Sequence, residues 1–223
     1  MLFETVQWFA GVVILNFIIY RLPLDERHRW YAIHFIYNMF VVYICKGDLY
    51  ELLIDPIHAF TDSTFTTRFP VASTSAICAV MALHLSHPLL FTINRTDILH
   101  HVVMCLLLLI PYYYQTLLVI GTTNSCLFFL SGLPGGIDYL MLVLTQWNII
   151  SKLGEKQWNT EINTWIRSPG ILFCVFSLYL KYLYRTATPS NHIAIWISII
   201  VLAWNGQYYA KLASISYGAH RDL

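Results

Sequence analysis

The chain has 223 residues, of which 57% are hydrophobic and only 11% are charged, and its formal net charge is +1. Soluble domains carry roughly 25% charged residues, so the composition argues against an ordinary soluble protein. The small net charge argues against nucleic acid as a partner. The five cysteines lie singly in or beside apolar runs without zinc-site spacing, and we interpret them as small buried hydrophobic residues.

Apolar runs close to the roughly 20 residues needed to cross a bilayer recur along the chain. They predict one all-α domain over residues 1–223. This domain is a polytopic transmembrane helical bundle with about seven spans plus one re-entrant or interfacial helix. The first run follows an acid rather than a basic segment and lacks a small-residue cleavage site, so we expect a retained span. The predicted spans are 3–19, 30–45, 70 to about 88, 97–114, 116–133, 169–184 and 192–212.

The segments between these spans carry further predictions. Residues 49–60 mix apolar and acidic side chains, which favours an amphipathic helix at the interface. The Pro-Gly-Gly segment 134–136 is a strong helix interrupter and is predicted to break the fifth span. The apolar run 139–150 then becomes the re-entrant or interfacial helix, with an extra span as the alternative. A polar loop is predicted over 151–168 and a turn over 186–191.

Basic residues give the bundle an orientation. They concentrate in 21–29, at Arg95, in 152–167 and in 211–221, which fall on one side if there are seven spans. The acidic loop 46–69 falls on the other side. The positive-inside rule then predicts a cytosolic C-terminus and an N-terminus on the opposite face.

An acid and two adjacent histidines mark the start of the fourth span, in the stretch Asp97-Ile98-Leu99-His100-His101. Ionisable groups are costly in lipid, so such a cluster is a functional hypothesis by default. Asp97 and His101 are four residues apart and share a helical face, and His100 is within reach. A carboxylate beside an imidazole suits a general base. Neighbouring residues lie about 100° apart on a helix, so one histidine should face a cavity and the other a neighbouring helix.

Two further histidines are predicted to join this cluster. His87 lies seven residues before Asn94 and His101 seven after it, so an antiparallel hairpin places both about 10 Å from the turn. His84, one turn deeper, points the same way. The group fits three alternatives: interhelical hydrogen bonds, a general acid/base site for acyl or lipid chemistry, and a metal site. The metal alternative rests on a faint likeness to the histidine boxes of membrane di-iron hydroxylases and desaturases, of which a third box is absent.

Other polar residues are candidate lipid-binding groups together with His84 and His87. His34 and Asn38 are four residues apart on one face of the second span. Asp138 directly follows the Pro-Gly-Gly segment. Arg95 is placed to meet a phosphate or carboxylate headgroup, and a positive-inside anchor explains it equally well.

Several landmarks together resemble a known family. Trp30 and His34 open the second span in a W-x-x-x-H pattern, Asp97 to His101 begin a central span, and a polar-then-proline break follows at 131–134. With the span count over about 30–212, this arrangement resembles the TLC-domain membrane proteins, which include the ceramide synthases. The resemblance implies a multi-pass endomembrane bundle around a cavity of lipid or acyl-chain size.

The resemblance also implies a chemistry. In ceramide synthases the paired histidines, matched here by His100 and His101, are needed to N-acylate a sphingoid base with acyl-CoA. Those synthases carry a downstream histidine–aspartate motif, whereas residues 122–133 here contain no acid and no histidine. The chain therefore looks more like the non-synthase branches, which tune membrane lipid composition or bind lipids.

We therefore expect a protein of lipid metabolism or lipid sensing. If it is an enzyme, His101 or His100 is the base that activates a lipid amine or hydroxyl for acyl transfer, and Asp97 orients it. No metal or resident cofactor is predicted, with acyl-CoA as the candidate co-substrate. Membrane lipids, a second copy or a larger membrane complex are the expected partners. The alternatives are a non-catalytic accessory subunit, for example of an organellar inner-membrane assembly, and a metal-dependent lipid hydroxylase. The expected membrane is the endoplasmic reticulum, with the mitochondrial inner membrane as the alternative.

Overall fold

The computed structural model describes residues 1–60, 73–114, 117–184 and 192–221. All regular structure in these ranges is helical, and the helices join into seven continuous rods. The first four rods are α1 (Leu2–Ile19), α2 (Glu26–Ile54), α3 (Ser75–Leu90) and α4 (Arg95–Tyr113). The fifth is α5 (Leu117–Leu127), a π-helical segment (Phe128–Gly132) and α6 (Leu133–Gln146). The sixth is α7 (Lys152–Ile162), a second π-helical segment (Asn163–Arg167) and α8 (Ser168–Leu183), and the seventh is α9 (His192–Arg221).

Four helical stretches are long and apolar enough to cross a bilayer. They are Leu2–Ile19, Leu118–Gln146, Lys152–Leu183 and His192–Arg221, while α3 and α4 are shorter apolar helices. Large apolar side chains such as Phe3, Phe17 and Ile200 lie exposed on the outside of the bundle, as lipid-facing side chains do. The predicted all-α class is confirmed, and the composition of these helices is that of a membrane protein.

The predicted break at 134–136 is wrong. The π-helical segment before it ends with the Leu133 N–H donating to the Phe128 carbonyl, and Pro134 then occupies the first turn of α6. A proline is tolerated in a first turn, and the wide π turn keeps the rod continuous. The predicted re-entrant helix over 139–150 is therefore the second half of a single rod, which ends at Gln146.

The polar loop predicted over 151–168 is also wrong, because these residues form a continuous helix with a π-helical segment before a proline. Ser151 caps α7 by accepting a hydrogen bond from the Gly154 N–H, and the helix runs on through the second π-helical segment. Pro169 again lies in the first turn after that segment. The sixth rod therefore begins well before Pro169, and its polar first half packs against α9.

The interfacial helix predicted over 49–60 is also wrong. Residues 49–54 continue α2 without a break, and Asp48, Glu51 and Leu52 are buried in the bundle. Of the acids in this segment, Glu51 thus points inward, whereas Asp55 is partly exposed and accepts a hydrogen bond from the His58 N–H after the end of α2. Residues 61–72, with the predicted start of the third span at Pro70, lie outside the described residues. The predicted start at Thr116 and the turn 186–191 lie outside them as well.

Capping interactions fix the end of the bundle that carries the basic loops. Asp25 caps α2, and the backbone N–H of His28 bonds its carboxylate and lowers the pKa of that carboxyl. Asn94 caps α4. The Glu26 carboxylate accepts a hydrogen bond from the Thr92 N–H at 2.6 Å, which brings the two loops to the same end.

Glycines set the close packing of α2 against α6. A Cβ atom added at Gly136 would lie 2.1 Å from Cε of Met39, and one added at Gly135 would lie 2.8 Å from Nδ2 of Asn38. Only glycine leaves room for these side chains. The Pro-Gly-Gly segment therefore serves helix packing and places Asn38 directly against α6.

Candidate functional site

A polar cavity of about 360 Å³ lies between α2, α3, α4, α6, the second π-helical segment and α9. Three histidines line it, His34, His84 and His100, together with the charged residues Asp97, Asp138 and Arg167. Its apolar wall is formed by Val80, Leu83, Met104, Leu130 and Leu212. The cavity opens among the residues predicted from the sequence to converge.

A chain of hydrogen bonds runs from Tyr209 through His100 to His84. Nδ1 of His84 lies 2.8 Å from the Val80 carbonyl oxygen. Because a carbonyl can only accept, Nδ1 carries the proton and Nε2 of neutral His84 is an acceptor. Nε2 of His100, 3.3 Å away, therefore donates to His84. Nδ1 of His100 then accepts from the Tyr209 hydroxyl at 2.9 Å.

This series of hydrogen bonds leaves Nδ1 of His100, the nitrogen without a proton, facing Tyr209 on α9. Each step follows from the Val80 carbonyl, so one tautomer is selected for both neutral rings. His100 can take up a proton only at Nδ1, where Tyr209 now donates. His84 supports the resulting imidazolium, since its Nε2 lone pair still faces the Nε2–H of His100.

His101 belongs to a second histidine pair that lies away from the cavity lining. Its Nε2 atom is 2.6 Å from Nδ1 of His87, and the His87 ring is stacked on Trp30 with centroids 3.9 Å apart. The remaining nitrogen of His101, Nδ1, is buried and has no hydrogen-bond partner in the part of the chain that the structure describes. The prediction that one adjacent histidine faces a cavity and the other a neighbouring helix is confirmed: His100 faces the cavity and His101 faces α3.

Asp97 does not hydrogen-bond either imidazole. Its Oδ2 accepts from the Asn94 N–H at 3.3 Å, while its own N–H donates to Asn94 Oδ1 at 2.9 Å. This reciprocal arrangement is a capping box that begins α4. The hydrogen-bond partners of His100 are Tyr209 and His84 instead of Asp97. Arg95 is exposed beside it at the start of the helix.

His34 supports the floor of the cavity through ring contacts. It stacks on Tyr139 with centroids 4.2 Å apart and an interplanar angle of 15°. The Trp30 ring meets it edge-on at 4.2 Å. Trp30 thus contacts both His34 and His87, which makes it the shared packing element of the two histidine groups.

Three polar residues at the cavity have unused hydrogen-bonding atoms. Asn38 is 1% exposed, and neither its Oδ1 nor its Nδ2 has a partner among the described residues. Oδ1 of Asp138 and Nε of Arg167 are also buried without a partner in these ranges. Arg167 is held by Asn163, whose Oδ1 accepts from Nη1 at 3.0 Å. Buried polar atoms are nearly always paired, so these atoms point to bound water or ligand.

Arg167, Asn163 and Tyr209 line the cavity but were not predicted as site residues. Arg167 and Asn163 lie in the polar segment predicted as a loop, where no helical spacing could single them out. Tyr209 and Asn205, which also lines the cavity, are four residues apart in an apolar helix. The spacing that singled out His34 and Asn38 would also have found this pair.

A narrow apolar cleft of about 40 Å³ lies next to the polar cavity, between α4, α5, α8 and α9. Leu130, in the first π-helical segment, lines both spaces. The cleft is otherwise lined by side chains such as Leu107, Leu178 and Leu202. The polar cavity and the apolar cleft therefore share the side chain of Leu130 in their linings.

The chain matches no known family model, no curated protein and no solved structure. The resemblance to TLC-domain proteins accordingly stays a prediction. Among the described residues, no three His, Cys, Asp or Glu side chains are arranged to hold one metal ion.

Proposed function

We propose that this chain is a TLC-like membrane enzyme that transfers an acyl group to a lipid amine or hydroxyl. The observation that carries the proposal is the position of His100, whose Nδ1 faces a cavity that adjoins an apolar cleft. An imidazole held in one tautomer within reach of a substrate is the requirement for a general base.

The proposed reaction begins when the substrate takes the place of the Tyr209 hydroxyl at Nδ1 of His100. The amine or hydroxyl of the acceptor loses its proton to this nitrogen and forms a bond to the acyl carbonyl carbon. The carbonyl electron pair moves onto oxygen. When the tetrahedral intermediate collapses, the bond to the leaving thiolate of acyl-CoA breaks, and the thiolate takes the proton back from His100.

His84 is the positioning residue in this scheme. The Nε2–H of His100 points to the lone pair on His84, so the positive charge that develops on His100 is stabilised next to it. His101 has no equivalent position, because its Nε2 is engaged with His87. We therefore assign the base to His100.

The polarity of the two spaces supports a lipid substrate. The cavity of about 360 Å³ has polar groups for a headgroup. The cleft that shares Leu130 with it is apolar, but at about 40 Å³ it is too small to enclose a whole hydrocarbon chain. The seven rods are proposed as seven spans, with the basic loops on the cytosolic face of the endoplasmic reticulum.

The proposal is tested by lipid mass spectrometry of membranes from cells that express the native chain, His100→Ala or His58→Ala. His58 is the control because its side chain is 66% exposed and does not line the cavity. We expect at least one acyl lipid to accumulate with the native chain and with His58→Ala but not with His100→Ala. An unchanged lipid profile at equal protein level would contradict acyl transfer.

The second candidate is a non-catalytic subunit of a larger membrane complex. Trp158 and Trp165 favour it, since they are 62% and 73% exposed on the sixth rod, and exposed aromatic residues are common at interfaces. A native gel of mildly solubilised membranes separates the two. A stoichiometric large assembly supports the subunit, whereas the chain alone, or as a small oligomer with a co-purifying lipid, supports the enzyme.

A further inference from the structure

Two opposite charges share the polar cavity without forming a direct ion pair. Arg167 enters from the second π-helical segment and Asp138 from α6, and both line the cavity. Nε of Arg167 and Oδ1 of Asp138 are each buried without a partner in the described part of the chain. Buried charges are costly unless paired, so each of these groups has unused capacity to bind a group of opposite charge.

Gly135 leaves room for the side chain of Asn38 next to Arg167. A Cβ atom added at Gly135 would lie 2.8 Å from Asn38 Nδ2 and 3.6 Å from Arg167 Nη2. The amide of Asn38 and the guanidinium of Arg167 therefore converge over the bare backbone of this glycine. Both are hydrogen-bond donors, and an anionic oxygen is the group that such a donor pair accepts best.

Asp138 forms no ion pair with a basic side chain among the described residues, although Arg167 and Lys156 lie close enough to act on it electrostatically. Two carboxylates line the cavity, Asp97 and Asp138. Asp97 has one oxygen engaged in its capping box. Asp138 is the one with a buried oxygen that has no partner in the described ranges, and a cationic amine is its natural partner.

We propose that the cavity binds a zwitterionic amphiphile, a lipid whose headgroup carries both an oxyanion and an amine. The oxyanion is bound by Arg167 and Asn38, and the amine by Asp138. The tail leaves the cavity past Leu130, which lines both the cavity and the apolar cleft. This inference rests on the proposed function for its lipid ligand, but its headgroup contacts require no acyl transfer.

Binding of four single-chain probes with the same chain length tests the proposal on the full chain in detergent. Lysophosphatidylethanolamine carries both charges, lysophosphatidic acid carries the oxyanion, a primary alkylamine carries the amine, and monoacylglycerol carries neither. Affinities are obtained from the rise in melting temperature with ligand concentration. We expect lysophosphatidylethanolamine to bind at least about tenfold more tightly than either singly charged probe.

Two variants test the binding of the oxyanion and of the amine separately. Arg167→Gln should lower the affinity for lysophosphatidylethanolamine and lysophosphatidic acid and leave that for the alkylamine unchanged. Asp138→Asn should lower the affinity for lysophosphatidylethanolamine and the alkylamine and leave that for lysophosphatidic acid unchanged. Lys152→Gln and Glu161→Gln, both on exposed positions of α7, are matched controls that should change no affinity.

Removing one buried charge can destabilise the other, so the double variant Arg167→Gln/Asp138→Asn is measured as well. It removes both charges together and should bind all four probes as weakly as monoacylglycerol. Equal binding of the four probes by the native chain, or equal weakening of all four by each single variant, would overturn the proposal.

The outcome is separable from that of the proposed function. Charge-selective binding without any lipid change in His100→Ala would leave the headgroup site standing and contradict acyl transfer. A lipid product that depends on His100, together with unselective binding, would contradict the zwitterion site alone.

Discussion

Nε2 of His84 and Nε2 of His100 lie 3.3 Å apart across the hairpin of α3 and α4. The Val80 carbonyl sets the proton on the far side of His84, so the lone pair of His84 holds His100 in place. The pair joins two helices and also leaves one nitrogen of His100 basic. The hydrogen bond that joins α3 to α4 is thus also the one that orients the candidate general base, His100.

Tyr209→Phe should leave the fold intact and free Nδ1 of His100 for the substrate. The change removes the hydroxyl that the substrate must displace, and a net hydrogen bond is worth about 1 kcal/mol, so product formation at low substrate concentration should rise by up to roughly fivefold. The measurement is the formation of the lipid product in membranes. Tyr208→Phe is the control, because Tyr208 is exposed on the adjacent position of α9. Equal rates of product formation by the two variants would contradict a role for Tyr209 in the reaction.

His101→Ala should lower stability more than it lowers the turnover of the remaining folded protein. The change leaves His87 with an unpaired buried nitrogen, which costs about 1–3 kcal/mol. Melting temperature and product formation per folded molecule are compared with those of His100→Ala. A His101→Ala protein of native stability that forms no product would shift the base from His100 to His101.

Leu130→Trp should block passage between the polar cavity and the apolar cleft, because Leu130 lines both. The larger ring fills the junction, and overpacking costs about 1–3 kcal/mol of stability. We expect loss of binding for long-chain probes and retention for short-chain ones. Leu172→Trp, at an exposed position of α8, is the matched control. Unchanged long-chain binding by Leu130→Trp would place the tail elsewhere.

Gly135→Ala should lower both stability and headgroup binding. Its Cβ would lie 2.8 Å from Nδ2 of Asn38, so the amide must move away from Arg167. Gly218→Ala provides the contrast, since a Cβ there meets nothing within 4 Å and alanine favours a helix by up to about 1 kcal/mol. Thermal unfolding and probe binding are measured for both. If Gly135→Ala binds and unfolds like Gly218→Ala, the proposed arrangement of Asn38 is wrong.

Local patterns predicted the histidine cluster well. The spacing of His87 and His101 about Asn94 placed them together, since helix geometry and a tight turn leave little freedom. The angle between His100 and His101 predicted their different surroundings for the same reason. The all-α class followed from composition, because apolar runs of this length have few other solutions.

The wrong predictions share a physical cause. The Pro-Gly-Gly segment 134–136 predicts a helix break, but a π turn places the proline in a permitted position and the glycines allow close packing with α2. Whether such a segment breaks a helix depends on its neighbours in space, which local propensity does not contain. The burial of Asp48 and Glu51 is likewise a matter of tertiary packing.

The partners of His100 were also beyond local reasoning. Tyr209 lies more than a hundred residues away from it, and no local pattern links the two. Asp97 was the expected partner because it is close in sequence, yet the first turn of α4 used its carboxylate for capping. Capping competes for such an acid whenever Asn precedes it by three residues.

The role of His100 as the base for acyl transfer can be measured directly on the purified chain. The chain in detergent is supplied with isotope-labelled acyl-CoA and a mixed pool of membrane lipids, and labelled products are measured by mass spectrometry. We predict a labelled lipid amide or ester from the native chain and from His58→Ala, with a rate at least about 100-fold lower for His100→Ala. Equal labelling by His100→Ala, or none by the native chain, would contradict the account.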